Sequence, residues 1–243
     1  MFCITVSTPN NDTLTNLVPD IRKALQITTY PTYSYVDNIV NQLPDVIPDY
    51  DKYVKGINHR GYNTIAPENT IPAFKLSAEM GFKYVECDVQ FTSDSVPVII
   101  HDATIDRTSD GTGNVADMTY SQISQYDFGS WKDASYTGTS IPTLDEFLKC
   151  CKDCGLTAYI ELKSDVTYTD ARYDIIVNAV KKYGMLDKVT FISFAIAPLQ
   201  AIHAKMPKAR LGFVTMSGAI SSTILEYMDS ITDDNETFID IIA

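Results

Sequence analysis

Two of the three histidines in the chain are each followed by a charged residue, in the pairs His59-Arg60 and His101-Asp102. Both histidines fall at the ends of predicted strands. In a parallel barrel, catalytic residues lie at the C-terminal ends of the strands. Two imidazoles at such positions can act as general base and general acid, although structural hydrogen bonding of both rings is the competing interpretation. The third histidine, His203, lies within a predicted helix and is assigned no role.

Acidic residues recur with a spacing of two on predicted strands. Glu86 and Asp88 lie on one strand, and alternation directs both side chains to the same face. Two buried carboxylates need a cation, and a hard divalent ion such as Mg²⁺ or Ca²⁺ prefers their oxygens. Glu161 and Lys163 repeat the spacing on the next core strand and add a third carboxylate and an ammonium group. A structural Glu161/Lys163 ion pair is the alternative to a role in the site.

Two cations complete the predicted site. Arg60 can bind an anion through its bidentate fork, and Lys163 can bind one as a point charge. A phosphate group suits both side chains. Together with two imidazoles and a carboxylate-bound metal, these cations predict metal-assisted phosphoryl transfer between oxygens. One imidazole would take a proton from the attacking hydroxyl, and the other would give one to the leaving oxygen. The residue types alone therefore predict a phosphodiesterase or a phosphatase.

The elements that must position these residues follow a repeated strand and helix pattern from Val54 onward, which is typical of parallel β/α units with right-handed crossovers. The predicted strands are 54–59, 84–90, 158–163, 189–194, 210–215 and 238–242. A capping box at Thr143 and Glu146 marks one helix start, and Gly184 ends a helix predicted over 171–183. The predicted fold class is an α/β protein with a TIM-type parallel β/α barrel.

One connection departs from this pattern. Only residues 90–95 separate Val89 from the apolar run 96–100, which is too short for a parallel crossover. A β-hairpin is therefore predicted, and it places Glu86 roughly across from His101. The Gly/Ser/Asp/Tyr-rich segment 103–141 follows, and its length favours a functional loop.

Composition narrows the class of protein. A net charge of −12 argues against a nucleic-acid binder, which needs a stripe of Lys and Arg. With 45% apolar residues the chain can bury a substantial core. We predict an N-terminal lead-in segment at 1–52 and a catalytic domain at 53–243. Because neither a signal peptide nor a transmembrane span is recognisable, the chain is expected to be soluble and, by default, cytoplasmic.

The cysteines give little functional information. Cys150, Cys151 and Cys154 have helical spacing and lack a second ligand pair at zinc-like distance. We interpret them as buried or half-buried thiols on a helix face rather than as a metal or redox site.

Short motifs spread over about residues 54 to 215 resemble, in order and spacing, those of the glycerophosphodiester phosphodiesterase family. They are His59-Arg60-Gly61, Ala66-Pro67-Glu68-Asn69-Thr70, Glu86-Cys87-Asp88-Val89, His101-Asp102, Asp106-Arg107-Thr108, Phe128-Gly129-Ser130-Trp131, Ile141-Pro142-Thr143-Leu144-Asp145-Glu146, Glu161-Leu162-Lys163 and Ser193-Phe194. Each motif alone is weak, but the ordered set is specific.

The resemblance implies a role for each predicted site residue. It implies a divalent metal on Glu86, Asp88 and Glu161, acid/base catalysis by His59 and His101, and phosphate contacts from Arg60 and Lys163. It also implies that a glycerol hydroxyl attacks the neighbouring phosphorus and that water then opens the cyclic phosphate. We assign His59 as base and His101 as acid in the first step, with the roles exchanged in the second. The implied substrates are small glycerophosphodiesters such as glycerophosphocholine, which yield an alcohol and glycerol 3-phosphate.

The C-terminal part of the sequence departs from the family. Family members continue past the strand that matches 238–242 with two more strands, the first ending in a Trp-Thr-Val-Asn type segment. Six barrel strands and a hairpin are predicted here instead of eight strands and a hairpin. We therefore expect an open sheet edge with bare backbone groups, as in a fragment or one part of a larger assembly.

Two further hypotheses compete with this function. A related barrel phosphodiesterase could act on an intact lipid, as a sphingomyelinase D-like enzyme does, or on a polymer of the teichoic acid kind. Exposed aromatic residues at the barrel mouth would favour a lipid substrate, and the candidates are Tyr126, Phe128, Trp131 and Tyr136. An inactive binding or structural module of a larger protein is the third possibility.

Overall fold

The computed structural model describes residues 2–6, 54–215 and 238–241. The strands are β1 (Phe2–Val6), β2 (Val54–Asn58), β3 (Tyr84–Phe91), β4 (Pro97–Ile99), β5 (Thr157–Leu162), β6 (Val189–Ser193), β7 (Arg210–Thr215) and β8 (Phe238–Ile241). The α-helices are α1 (Ile71–Glu79), α2 (Tyr120–Ile123), α3 (Leu144–Cys154), α4 (Asp170–Tyr183) and α5 (Ile196–Lys205). Short 3-10 turns occur at Val115–Asp117, Ala134–Tyr136 and Leu186–Lys188.

Six strands form a parallel sheet in the order β2, β3, β5, β6, β7 and β8. Helices α1, α3, α4 and α5 lie between successive strands, as right-handed β/α units require. The α/β barrel class is therefore confirmed, and every predicted strand is present within one or two residues. The division at residues 52 and 53 stays a prediction, since residues 7–53 lie outside the described part of the chain.

The predicted hairpin is confirmed. Strand β4 pairs antiparallel with β3, with Val89 opposite Ile99. The backbone N–H of Ile100 donates to the carbonyl oxygen of Asp88 at 3.0 Å. This pairing brings the segment that carries His101 beside the carboxyl end of β3.

The expectation of a bare sheet edge is wrong for the described strands. Strand β1 pairs antiparallel with both β2 and β8, with Phe2 opposite Asn58 and Ile4 opposite Ile241. Its apolar and β-branched sequence suits a strand, and its backbone groups hydrogen-bond two edges that would otherwise be unpaired. The strands β1, β2, β3, β5, β6, β7 and β8 thus close a ring, with β4 attached to β3.

The main core lies between the sheet and the helices. Phe74 of α1 and Phe147 of α3 are fully buried and make an edge-on ring contact with centroids 4.7 Å apart. Cys150 and Cys151 are buried and Cys154 is half-buried on α3, all as free thiols, which confirms that they are buried or half-buried on a helix face. Cys87 of β3 is also a buried free thiol.

A small apolar cluster lies inside the barrel. It contains Ile57, Tyr159, Ile192 and Val214, all at most 2% exposed. Because side chains alternate along a strand, the residues two positions after Ile57 and Tyr159 point to the same side of the sheet. Those residues are His59 and Glu161, so the apolar cluster forms a floor one layer below the candidate site.

Gly61 provides a test of how the loop after β2 packs. Its φ is +75°, and an added Cβ would lie 2.8 Å from the Cβ and 2.9 Å from the carbonyl carbon of Ala73 in α1. Gly138 has φ +82° but no atom within 4 Å of an added Cβ. Both alanine variants therefore carry the same kind of backbone strain, and only the first adds overpacking, which costs about 1–3 kcal/mol.

We expect Gly61→Ala to lower the free energy of unfolding by at least about 1 kcal/mol more than Gly138→Ala does, as measured by urea denaturation. Equal losses in the two variants would show that the close approach of the loop to α1 is unimportant.

Candidate active site

Three acidic side chains meet at the carboxyl end of neighbouring strands. Glu86 and Asp88 project from β3 and Glu161 projects from β5, with Asp88 directly opposite Glu161 in the parallel register. One oxygen of each lies within 4.8 Å of the others, and all three residues are buried. The structure thus brings together the three carboxylates that the sequence predicts to bind a metal.

Nearby cations do not fully neutralise the three carboxylates. Burial raises the pKa of Glu86 well above its usual range, and the charges of Asp88 and Glu161 raise it further. Burial and the charge of Asp88 raise the pKa of Glu161 to about 7. Glu86 Oε1 also has no hydrogen-bond partner among the described residues. A set of buried, mutually repelling oxygen ligands fits a hard divalent cation.

Asp88 is the best neutralised of the three. Burial alone raises its pKa, but Lys163 and Arg60 outweigh this effect, and the pKa falls to about 2. Its Oδ1 lies 2.9 Å from Lys163 Nζ, although not in hydrogen-bond orientation, and its Oδ2 accepts a 2.7 Å hydrogen bond from Asn69 Nδ2. Asn69 thus supports the carboxylate from the loop before α1.

Lys163 lies between two of the acids. Its Nζ is 2.9 Å from Asp88 Oδ1 and 3.1 Å from Glu161 Oε1. Burial lowers the pKa of this ammonium group, but the two carboxylates raise it above the usual range, so the group is charged. The Glu161/Lys163 ion pair that the sequence offers as an alternative is therefore present within the cluster.

Arg60 is fixed by both its backbone and its side chain. Its backbone N–H donates to Glu86 Oε2 at 2.8 Å, and its Nη1 donates to Glu68 Oε1 at 2.9 Å. Its Nε lies 3.4 Å from Asp88 Oδ2. The φ of Arg60 is +58° and that of Asn69 is +56°, which is uncommon for residues other than glycine. The loop after β2 thus has a left-handed backbone conformation at the two residues that contact the acid cluster.

His59 lies beside the acid cluster. Its Nε2 is 3.9 Å from Glu86 Oε2, and its carbonyl oxygen accepts a 2.9 Å hydrogen bond from Asn63 Nδ2. Burial and the charge of Arg60 lower the pKa of His59 to about 4, with a smaller lowering from His101. The imidazole is therefore neutral near pH 7 and can accept a proton.

Asp102 holds the Nδ1 side of the His101 ring. Its Nδ1 lies 2.7 Å from Asp102 Oδ1, while about a third of its side chain remains accessible to solvent. The pKa of Asp102 falls to about 2, chiefly because Arg107 donates hydrogen bonds to it. A carboxylate on Nδ1 leaves Nε2 as the ring nitrogen that is available to a reactant.

Glu68 and Arg107 are residues to which the sequence assigns no role. They lie within the quoted motifs, yet the structure shows them linked by two hydrogen bonds of 2.9 and 2.8 Å. The signal in the sequence was the position of Glu68 before Asn69 and of Arg107 in the motif after His101. Neither position reveals that the two side chains meet.

The lowered pKa of Asp102 predicts a pH-dependent contribution to stability. Because the folded pKa of about 2 is below the usual value of 3.8, the contribution is present above about pH 4 and is lost as the pH falls through 2. After allowance for partial exposure, we expect Asp102→Asn to lower the free energy of unfolding by about 1 kcal/mol at pH 7. Denaturant titrations of both proteins between pH 2 and 7 would measure the difference, and a difference that is constant with pH would contradict this account.

The long loop 103–141 contains the four aromatic residues that are candidates for an exposed lipid-binding surface. Phe128 is buried, Tyr126 and Tyr136 are half-buried, and Trp131 is 36% exposed, with its Nε1 donating to the carbonyl oxygen of Phe128. Lys132 Nζ donates to the carbonyl oxygen of Asn63 at 2.7 Å, which ties this loop to the loop after β2. Most of these aromatic side chains therefore pack within the loop rather than form an exposed apolar face.

Comparisons with known proteins agree with this geometry. Residues 59–232 match the model of the glycerophosphoryl diester phosphodiesterase family. A glycerophosphodiester phosphodiesterase of Caldanaerobacter subterraneus subsp. tengcongensis is 35% identical over 164 residues, which are 68% of each chain. Glycerophosphodiester phosphodiesterase 1 of Bos taurus is 37% identical over 134 residues, which span 54% of this chain and 40% of the bovine protein.

Solved structures give the same result. A phosphodiesterase of Oleispira antarctica, crystallised with the product sn-glycerol-3-phosphate, is 30% identical with a TM-score of 0.65 and covers 72% of this chain and 70% of its own. A glycerophosphodiester phosphodiesterase of Agrobacterium tumefaciens is 35% identical with a TM-score of 0.59 and covers 65% of each chain.

The barrel and its ordered motifs are those of a family of phosphodiesterases. More narrowly, the chain belongs to the glycerophosphoryl diester phosphodiesterase family, and the resemblance seen in its motifs is confirmed. Among the described residues, no helix is long and apolar enough to cross a membrane.

Proposed function

We propose that this chain hydrolyses glycerophosphodiesters to an alcohol and glycerol 3-phosphate, with one divalent metal ion and two catalytic histidines. The observation that carries the proposal is the buried carboxylate cluster of Glu86, Asp88 and Glu161, with His59 beside it. The sn-glycerol-3-phosphate in the structure of the Oleispira antarctica relative supports the substrate class.

The three carboxylates are the residues that would hold Mg²⁺ or Ca²⁺. Their buried oxygens, with Glu86 Oε1 unpartnered among the described residues, fit an ion that prefers oxygen ligands. When bound, such an ion polarises a phosphoryl oxygen and stabilises negative charge that develops on it.

The two imidazoles would carry the protons. In the first step neutral His59 accepts the proton of a glycerol hydroxyl, whose oxygen attacks the neighbouring phosphorus. The bond from phosphorus to the alcohol oxygen breaks, and His101 gives its Nε2 proton to that oxygen. In the second step His101 accepts a proton from water, whose oxygen attacks phosphorus. The bond from phosphorus to the glycerol oxygen that attacked in the first step breaks, and His59 returns its proton to that oxygen.

Arg60 and Lys163 would bind the phosphate. Both cations are engaged by carboxylates in the structure, Arg60 by Glu68 and Asp88, and Lys163 by Asp88 and Glu161. A divalent ion on Asp88 and Glu161 would take over part of their neutralisation, so Lys163 and Arg60 could turn toward an anionic substrate while Glu68 stays paired with Arg60.

Release of glycerol 3-phosphate from glycerophosphocholine, glycerophosphoethanolamine and glycerophosphoglycerol tests the proposal. We expect release from at least one of these diesters, and we expect a chelator to abolish it and added Mg²⁺ or Ca²⁺ to restore it. Turnover that survives chelation would contradict the metal requirement. Turnover of sphingomyelin or poly(glycerol phosphate) alone would support the alternative substrates, and inactivity toward all of them would support a binding module.

A further inference from the structure

We infer that Arg107 is a positioning residue that connects the acid/base histidine His101 with the phosphate-binding Arg60. The inference deepens the proposed function, and its consequence for catalysis rests on that function. Arg107 makes no contact with the metal-binding carboxylates among the described residues, so its role would be exerted through Asp102 and Glu68.

The guanidinium group of Arg107 bridges two carboxylates. Its Nε and Nη2 donate to the two oxygens of Asp102 at 2.7 and 3.1 Å. Its Nη1 and Nη2 donate to the two oxygens of Glu68 at 2.9 and 2.8 Å. A planar arginine fork can make both bidentate contacts at once, whereas a lysine ammonium group cannot reproduce that geometry.

Each carboxylate is at the same time bound to a residue of the proposed site. Asp102 Oδ1 lies 2.7 Å from His101 Nδ1, which sets the orientation of the ring and the nitrogen that carries its proton. Glu68 Oε1 accepts a 2.9 Å hydrogen bond from Arg60 Nη1. One side chain thus connects the loop after β2 with the segment after β4.

The connection should affect catalysis more than stability. The side chain of Arg107 is 45% exposed, and exposed ion pairs contribute only about 0–1 kcal/mol to folding. Residues that orient catalytic or metal-bound side chains nevertheless change activity by about 10- to 100-fold when replaced. The orientation of His101 and Arg60 is therefore the property that depends on Arg107.

Lys205 provides a matched control on the outer helix layer. Its Nζ also bridges two carboxylates, at 2.8 Å from Asp170 and 2.7 Å from Asp174. Neither aspartate contacts a residue of the proposed site in the hydrogen bonds and ion pairs of the described chain. Lys205→Gln therefore removes a bridging cation without disturbing His101 or Arg60.

The test compares Arg107→Gln, Arg107→Lys and Lys205→Gln with the unmodified chain. Steady-state kinetics with glycerophosphocholine would give kcat and KM, and ¹⁵N spectra of the imidazole rings would report which nitrogen of His101 carries the proton when the ring is neutral. Only three histidines occur in the chain, so a His101→Ala spectrum assigns the signal. Thermal unfolding would verify that all variants are folded.

We expect Arg107→Gln to lower kcat by about 10- to 100-fold, to raise KM and to mix the proton positions of His101, with a partial defect in Arg107→Lys. Lys205→Gln should match the unmodified chain in kcat, in KM and in the His101 spectra. Unchanged kcat and unchanged His101 spectra in Arg107→Gln would overturn the inference, as would equal defects in Arg107→Gln and Lys205→Gln. The spectra need no turnover, so mixed proton positions in a chain that hydrolyses nothing would reject the proposed function and retain the positioning role.

Discussion

Replacement of His59 by glutamine is expected to lower kcat for glycerophosphodiester hydrolysis by about 10²- to 10⁴-fold. The imidazole lies beside the acid cluster, and burial and Arg60 keep it neutral near pH 7, so the ring is in the form that can accept a proton. Glutamine is polar and of similar size but cannot take up the proton. Initial rates at saturating metal and substrate would measure the loss.

His203→Gln is the matched control for this experiment. His203 is half-buried on α5, outside the proposed site, and its replacement should leave kcat unchanged. A His59→Gln enzyme that retains more than a tenth of the original kcat would remove the imidazole from the mechanism.

Replacement of Glu161 by glutamine is expected to weaken the binding of the divalent ion by at least about 100-fold, because removal even of an outer partner of a metal ligand costs about 10- to 100-fold. Glu161 supplies one of three clustered carboxylates, and the affinity of a site for such ions depends on the charge of its ligands. Activity at micromolar metal should be lost, and part of it should return at millimolar metal. Calorimetric titration with Mg²⁺ and Ca²⁺ gives the affinity directly.

The control for Glu161→Gln is Asp153→Asn. Asp153 is an exposed residue of α3 that pairs with Lys149, so this variant removes one carboxylate from the helix surface. It should bind the ion as the unmodified chain does. Equal affinities in the Glu161→Gln and unmodified chains would show that the ion, if required, binds elsewhere.

Most of the fold could be predicted because its signals are local. Runs rich in Val and Ile located the strands, and the short gap at 90–95 predicted the hairpin that β3 and β4 form. The Thr143 and Glu146 capping box begins α3, and Gly155 with φ +71° ends it. These features depend on neighbouring residues, so a single sequence contains them.

Strand β1 could not be predicted in the same way. Its partners are β2 and β8, which are distant in the sequence, and no local pattern specifies such a pairing. Resemblance to a family with eight parallel strands also suggested an open edge instead of an antiparallel strand within the ring.

The site shows a similar contrast. Alternation along β3 predicted that Glu86 and Asp88 share a face, and the parallel register then placed Glu161 beside them. Contacts that depend on side-chain conformation could not be predicted. The fork from Arg107 to Glu68 joins residues 39 positions apart and forms only because two loops come together in space.

X-ray diffraction from crystals soaked in Mn²⁺, recorded at an energy where manganese scatters anomalously, tests the central claim most directly. Mn²⁺ shares the preference of Mg²⁺ and Ca²⁺ for carboxylate oxygens. We predict one anomalous peak within about 2.0–2.6 Å of oxygens from Glu86, Asp88 and Glu161, and a weaker peak in Glu161→Gln crystals at the same Mn²⁺ concentration. A peak remote from these three residues, in an enzyme that still releases glycerol 3-phosphate, would contradict the proposed metal site.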